Sequence, residues 1–202
     1  MTDARLRGRQ QFLLLAVLFF APLVAAITLY FFTPEWQPEG RTNYGTLIQP
    51  ARPLPEHLTL QDAAGEAVPS DVLRGKWSFV YVGGADCDTA CADKLYQIRQ
   101  IRTLLNEKRL RVQRVYLAPD HAAAVAAQAQ LAPTHPDLHI FSETDSSRVL
   151  VRQFADGAPQ ADAQALYLLD PLGNWLMLYP AAAESTGILK DIKRLLRVSQ
   201  IG

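Results

Sequence analysis

The sequence predicts an α/β domain attached to a membrane by one N-terminal helix. Three observations support this prediction: a long apolar run near the N-terminus, a strand–helix–strand pattern in the middle of the chain, and a hairpin followed by an amphipathic helix at its end. The 202 residues carry 20 basic and 20 acidic side chains. This balance argues against nucleic-acid binding as the main function.

The apolar run covers residues 12–32 and contains no charged side chain. With a rise of ~1.5 Å per residue, a helix of this length matches a hydrocarbon core of roughly 30 Å. Arg5, Arg7 and Arg9 precede the run with only Asp3 against them, and the first charged residues after it are Glu35 and Glu39. The excess of arginine predicts that the N-terminus stays in the cytoplasm and that the rest of the chain is exported.

These features predict four segments. They are a cytoplasmic N-terminus (1–11), a transmembrane helix (12–32), an extended tether rich in proline and glycine (33–56), and one exported domain (57–202). A cleaved signal peptide is the alternative for the first two segments, although the run is long for one and no clean A-x-A cleavage site follows it.

The sequence predicts that the exported domain consists of short strands and helices. Residues 58–60 and 67–68 predict a leading hairpin, and aromatic and β-branched residues at 77–82 predict a buried central strand. Apolar residues at helical spacing follow, namely Cys91, Leu95, Ile98, Ile101 and Leu105, with Lys94, Gln97, Arg99, Gln100 and Thr103 on the other face.

A strand at 112–117 closes a β-α-β unit with parallel strands. The pattern then predicts the remaining elements. They are a helix at 121–131, a strand at 138–141, a helix at 146–154, a hairpin formed by 165–169 and 175–179, and a last helix with Ser185 or Thr186 as its N-cap. This order is the thioredoxin arrangement.

The chain has two cysteines, Cys87 and Cys91, at the junction of the central strand and its helix. Disulfides form in exported domains, so one interpretation of the pair is a structural cross-link. Its loop is too short to contribute much stability, which favours a pair that switches between dithiol and disulfide. A helix N-terminus also favours the thiolate, which attacks disulfides and binds Cu(I). The flanking Asp86 and Asp88 should disfavour thiolate charge and moderate its reactivity.

At these residues the sequence resembles the Sco/SenC proteins, membrane-tethered thioredoxin-fold factors for cytochrome c oxidase assembly. The resemblance rests on residues 75–83, on the C-x-x-x-C spacing of Cys87 and Cys91, and on Tyr167-Leu168-Leu169-Asp170-Pro171. It implies that the two cysteines bind copper or exchange disulfides with the oxidase copper centre. It also implies a bacterial inner-membrane location with a periplasmic domain, and an oxidase subunit or its assembly factors as partner.

Two departures from the family pattern are evident. Asp88 and Ala92 follow the cysteines where the family usually has prolines, and the family's copper-ligand histidine would fall at Asp162 or Ala163. The match is closer to a divergent bacterial group that lacks this histidine. His57, His121, His135 and His139 are expected to be structural.

Three functions therefore remain open. The first is thiol–disulfide exchange in which Cys87 attacks and Cys91 resolves the mixed disulfide. The second is binding and delivery of Cu(I) by the same two thiolates. The third is a non-enzymatic scaffold with a structural disulfide, in which basic residues at 99–114 and 190–197, otherwise solvated helix faces, contact an acidic partner or lipid.

Overall fold

The computed structural model describes residues 2–32, 43–84, 86–144, 148–158 and 161–201, with side chains from residue 9 onward. The chain divides into two compact units, Met1–Thr42 and Asn43–Gly202.

The first unit is built on one helix, α1 (Thr2–Phe32). Within the described residues, its segment Arg9–Phe32 is the one helix long and apolar enough to cross a membrane. The large apolar side chains of this segment are exposed, as expected for a helix whose surroundings are lipid. The predicted apolar span at 12–32 lies inside α1, which begins earlier, at Thr2.

The second unit combines a mixed sheet with helices on both faces. Two short 3₁₀ turns, Ser70–Leu73 and Asn106–Arg111, connect longer elements. The longer elements, in chain order, are β1 (Thr46–Pro53), β2 (Leu60–Asp62), β3 (Ala67–Val68), β4 (Trp77–Val82), α2 (Thr89–Thr103), β5 (Val112–Ala118), α3 (His121–Leu131), β6 (Leu138–Glu143), α4 (Val149–Gly157), β7 (Leu166–Leu169), β8 (Asn174–Tyr179) and α5 (Ser185–Val198).

The sheet has the strand order β1-β8-β7-β4-β5-β6-β2-β3. Strands β4, β5 and β6 are parallel, and β5 pairs with β4 from Trp77↔Val112 to Val82↔Leu117. The hairpin β7–β8 joins β4 in antiparallel orientation. This confirms the predicted β-α-β unit, the hairpin, and the thioredoxin-like fold.

Two apolar cores, one on each face of the sheet, stabilise the second unit. Helices α2, α3 and α5 cover one face and α4 contributes to the other. Side chains alternate along β4: Phe79 and Tyr81 point to the first core, and Val80 points to the second. The first core also contains both cysteines, which therefore belong to the interior of the domain.

The folded domain begins earlier than residue 57. Of the predicted tether, residues 33–42 lie outside the described residues, but Thr46–Pro53 is strand β1 and pairs with β8. The Asp191 carboxylate also accepts hydrogen bonds from the backbone N–H groups of Tyr44 and Gly45. A segment that contains prolines can still form an edge strand, because prolines are tolerated at positions whose N–H group is not needed for pairing with the neighbouring strand.

Three local predictions were wrong. Lys94, expected on the polar face of α2, is 6% exposed. Helix α4 begins at Val149, because the Glu143 carboxylate accepts hydrogen bonds from the N–H groups of Leu150 and Val151; Ser146 and Ser147 lie outside the described residues. The N-cap of α5 is Glu184, which makes no side-chain capping bond.

Candidate functional site

The site lies where β4 ends and α2 begins. Cys87 precedes the helix and Cys91 lies in its first turn, and their sulfurs form a disulfide with a Cα–Cα distance of 5.2 Å. Cys87 is 6% exposed and Cys91 is 3% exposed. Both sulfurs are thus largely covered, and Cys87 lies only slightly nearer to solvent.

Two polar side chains hold the loop that carries the cysteines. Asp88 is the N-cap of α2, and its carboxylate accepts a hydrogen bond from the Cys91 N–H at 2.9 Å. Gln130, on α3, donates from its side-chain amide to the Cys87 carbonyl at 2.8 Å. The sequence does not predict the contact of Gln130, because nothing in an alanine-rich helix indicates which polar residue reaches a loop 43 positions away.

Close packing fixes the chain before the cysteines. The Gly83 N–H donates to the Leu117 carbonyl at 2.9 Å, continuing the β4–β5 pairing beyond the strand. A Cβ at Gly83 would lie 1.9 Å from the Tyr116 ring, so no larger residue fits without moving that ring. The Tyr116 hydroxyl in turn donates to the Gly84 carbonyl at 3.3 Å. The close approach of the Tyr116 ring explains why the residue directly after β4 is a glycine.

Asp86 and Asp88, which flank Cys87, place negative charge near two tyrosines of this site. Burial raises the pKa of Tyr81 to about 12, and the charge on Asp88 contributes to this increase. Burial also raises the pKa of Tyr116, with further contributions from Asp86 and Asp88. Both hydroxyls therefore stay neutral at physiological pH. That the two carboxylates also restrain a thiolate remains a prediction.

Next to α2, the backbone of one residue, Ala181, is held at both its carbonyl and its N–H group. The Lys94 ammonium donates to the Ala181 carbonyl at 2.8 Å and to the Gln97 side chain at 2.9 Å. The Asp162 carboxylate accepts from the Ala181 N–H at 2.8 Å. Burial lowers the pKa of Lys94, and the nearby Asp162 charge opposes this decrease. These contacts join α2 to the loops before β7 and after β8.

This arrangement borders an open cavity of about 470 Å³. Ala90, which lies between the two cysteines in sequence, forms part of its wall. Gln97, Gln100 and Gln164 contribute amide groups that can both donate and accept hydrogen bonds. The cavity extends from the cysteine loop along one side of α2.

The position at which the family's copper-ligand histidine would fall has a different role here. The Asp162 carboxylate is committed to the Ala181 N–H, and a carboxylate is a poor ligand for Cu(I). No group of three or more His, Cys, Asp or Glu side chains in the described residues is placed to hold a metal ion. His135 instead contacts Arg114, and His139 stacks on Phe141. Two thiolates from the reduced cysteines are the donor set this site offers.

The fold and site define a thioredoxin-like protein with a disulfide-forming cysteine pair at the start of its first domain helix. Residues 77–199 match the family described as "Transmembrane-like, thioredoxin-like, C-terminal domain", and the chain belongs to this family. No curated protein sequence matches the chain.

Solved structures of Sco proteins have the same fold. Apo Sco1 from Thermus thermophilus is 18% identical, with 76% of this chain and 96% of that chain covered and a TM-score of 0.58. Yeast Sco1 with copper bound is 20% identical, with coverages of 70% and 91% and a TM-score of 0.57. BsSco, described as a Sco-family cytochrome c oxidase assembly protein with a disulfide switch, is 17% identical, with coverages of 70% and 92% and a TM-score of 0.51. The predicted resemblance to Sco/SenC proteins is confirmed at the level of the fold.

Proposed function

We propose that this protein assists cytochrome c oxidase assembly by exchanging disulfides through Cys87 and Cys91. The observation that carries the proposal is the disulfide itself, which closes a short loop at a helix start within a Sco-like fold. The disulfide contributes little to holding distant parts of the chain together, since it links residues only four apart. A bond of this kind is suited to reversible formation.

In the reducing direction, the Cys87 thiolate attacks one sulfur of a partner disulfide and releases the other sulfur as a thiolate. The mixed disulfide then breaks when the Cys91 thiolate attacks the Cys87 sulfur. The partner gains two electrons and becomes a dithiol, and Cys87 and Cys91 become the disulfide seen here. A dithiol reductant at the membrane surface returns the pair to its reduced form.

Cys87 is assigned as the attacking residue because of its position. It precedes α2 and lies in the loop, whereas Cys91 is on the buried face of the helix. A Cys91→Ser variant should therefore accumulate a mixed disulfide with its partner, visible as a reducible adduct on a gel. Cys87→Ser should accumulate much less, and equal trapping by both variants would contradict the assignment.

The direct test of the function is oxidase assembly in a strain that carries Cys87→Ser with Cys91→Ser. The proposal predicts loss of assembled oxidase while the variant protein remains in the membrane. Normal assembly would overturn it and favour a scaffold. Charge reversal at Arg99 is the comparison, because a scaffold that contacts an acidic partner through this residue should be damaged more by this change. Arg102 is left unchanged, since its guanidinium donates to the Val112 carbonyl and pairs with Asp137 within the fold.

Delivery of Cu(I) by the two reduced thiolates is the second candidate. The fold likeness to Sco proteins solved with copper bound favours it. Two thiolates suffice for a near-linear Cu(I) site, whereas Cu(II) prefers a tetragonal site with nitrogen and oxygen donors. Cu(I) titration of the reduced protein against a competing chelator separates the candidates: copper that is retained and then lost in Cys87→Ser favours delivery.

We further propose the topology that this function needs. The N-terminus lies in the cytoplasm of a bacterial cell, residues 12–32 cross the inner membrane, and the domain lies in the periplasm, where disulfides persist. Alkaline phosphatase fused after residue 202 should be active. An inactive fusion that is stably produced would place the domain in the cytoplasm.

A further inference from the structure

The end of the domain opposite the cysteines has a surface that the proposed disulfide exchange does not use. Strand β4 begins there with Trp77, and the 3₁₀ turn Asn106–Arg111 and the last turn of α5 lie at the same end. The Arg111 guanidinium donates to the carbonyls of Leu196 and Ser199, each at 2.9 Å, and so fixes the end of α5. We call this end of the domain the basal surface.

Basic side chains line a groove on one side of α5. The groove, of about 580 Å³, lies between α5 and the 3₁₀ turn. Lys108, Lys193 and Arg197 contribute three positive charges, and Glu107 is the one acidic residue in its lining. All four residues are exposed. The groove therefore has a net positive charge and a wide opening to solvent.

Apolar side chains lie around this groove. Leu104 and Leu110 are 54% and 69% exposed, and Val198 and Ile201 are 70% and 53% exposed. On the other side of α5, an open cavity of about 250 Å³ has a predominantly apolar lining that includes Trp77, Val198 and Ile201. Exposed aliphatic side chains interleaved with lysine and arginine are the pattern of surfaces that bind at a lipid–water interface.

The length of the chain before the domain indicates the occupant. Ten residues separate α1 from the second unit, and they can span at most ~36 Å when fully extended. A membrane occupied by α1 is therefore always within reach of the domain, and tethering raises its effective concentration. Anionic lipids attract basic side chains near a bilayer surface.

We propose that the basal surface docks on the anionic lipid headgroups of the membrane in which the chain is anchored. Lys108, Lys193 and Arg197 contact phosphate groups, and the apolar residues around them enter the interface. The cysteines, at the other end of the sheet, then face away from the lipid toward protein partners. This proposal is independent of the proposed disulfide exchange.

The test uses the full chain in nanodiscs whose acyl chains carry bromine, which quenches nearby tryptophan. A Trp36→Phe background and its Trp36→Phe, Trp77→Phe derivative isolate the signal of Trp77. We expect Trp77 to be quenched in phosphatidylglycerol mixed with phosphatidylcholine, and about tenfold less in phosphatidylcholine alone. Equal quenching in both lipids would overturn the proposal.

A charge variant and a matched control complete the design. Lys193→Glu with Arg197→Glu should abolish the difference between the two lipids, whereas Arg148→Glu with Arg152→Glu, on the other face of the sheet, should keep it. Circular dichroism checks that both variants remain folded. Loss of the difference in both variants would contradict the proposal. The proposal would also be contradicted if soluble polyglutamate displaced the domain from the nanodisc while lipid charge had no effect on Trp77 quenching. That result would identify an acidic protein as the occupant.

Discussion

The carboxylate of Asp88 accepts a hydrogen bond from the backbone N–H of Cys91, which lies three residues further on. Asp88 therefore starts α2 and places a negative charge beside the disulfide at the same time. A carboxylate that uses this N–H also removes one donor that could otherwise stabilise a thiolate at the helix start. We therefore expect Asp88 to couple the stability of α2 to the reactivity of the thiols.

Two substitutions at this position separate its roles. Asp88→Ser keeps a capping oxygen but removes the charge, so stability should change little while the reduced protein reacts faster with iodoacetamide at neutral pH. Asp88→Ala loses the cap and should lower the free energy of unfolding by about 1 kcal/mol. Urea unfolding and alkylation rates measure the two effects. An unchanged alkylation rate in Asp88→Ser would show that the charge does not restrain the thiol.

Gly83 and Gly84 form a matched pair for the packing that fixes the cysteine loop. A Cβ at Gly83 would overlap the Tyr116 ring, whereas the nearest atom to a Cβ at Gly84 is the Asp86 carbonyl oxygen at 3.5 Å. Gly83→Ala should therefore cost about 1–3 kcal/mol of stability, since a buried ring must move. Gly84→Ala should cost much less. Thermal unfolding of both variants tests this, and similar losses would contradict the packing account.

The pH dependence of stability should contain a contribution from His135. Burial lowers the pKa of this imidazole, and the neighbouring Arg114 and Arg99 lower it further, while Asp137 opposes them. The unfolded chain therefore binds a proton at a higher pH than the folded chain does. Stability from this group is complete above the ordinary histidine pKa and is lost as pH falls below it.

Urea unfolding of the wild type and of His135→Gln at neutral and mildly acidic pH measures this effect. The variant should lose less stability on acidification than the wild type. His57→Gln, at an exposed position outside this cluster, is the control and should behave as the wild type does. Parallel loss of stability in the wild type and His135→Gln would exclude His135 as the source.

Local patterns predicted most of the fold. The apolar periodicity of α2 and the β-branched strand at 77–82 fixed the β-α-β unit, and the prolines after residue 131 ended α3 where predicted. The hairpin turn was also predicted, and the structure shows how it is held: the Asp170 carboxylate accepts hydrogen bonds from the N–H groups of Leu172 and Asn174. Such patterns involve only residues that are close in sequence, so one sequence is enough to recognise them.

Long-range contacts were not predictable. Strand β1 exists because β8 offers an edge more than 120 positions away, and the burial of Lys94 depends on the Ala181 carbonyl. For the candidate site, sequence identified the cysteines and their flanking carboxylates. It did not identify Gln130 or the contact between Asp162 and Ala181, because both join elements that meet only in the folded domain.

The redox equilibrium of Cys87 and Cys91 with glutathione, measured on the full chain with circular dichroism on the same samples, tests the central claim most directly. The account predicts reversible conversion between disulfide and dithiol with the fold retained, because opening so short a loop should cost only about 2 kcal/mol. A pair that can be reduced only when the domain unfolds would contradict the account and leave the disulfide as a structural cross-link.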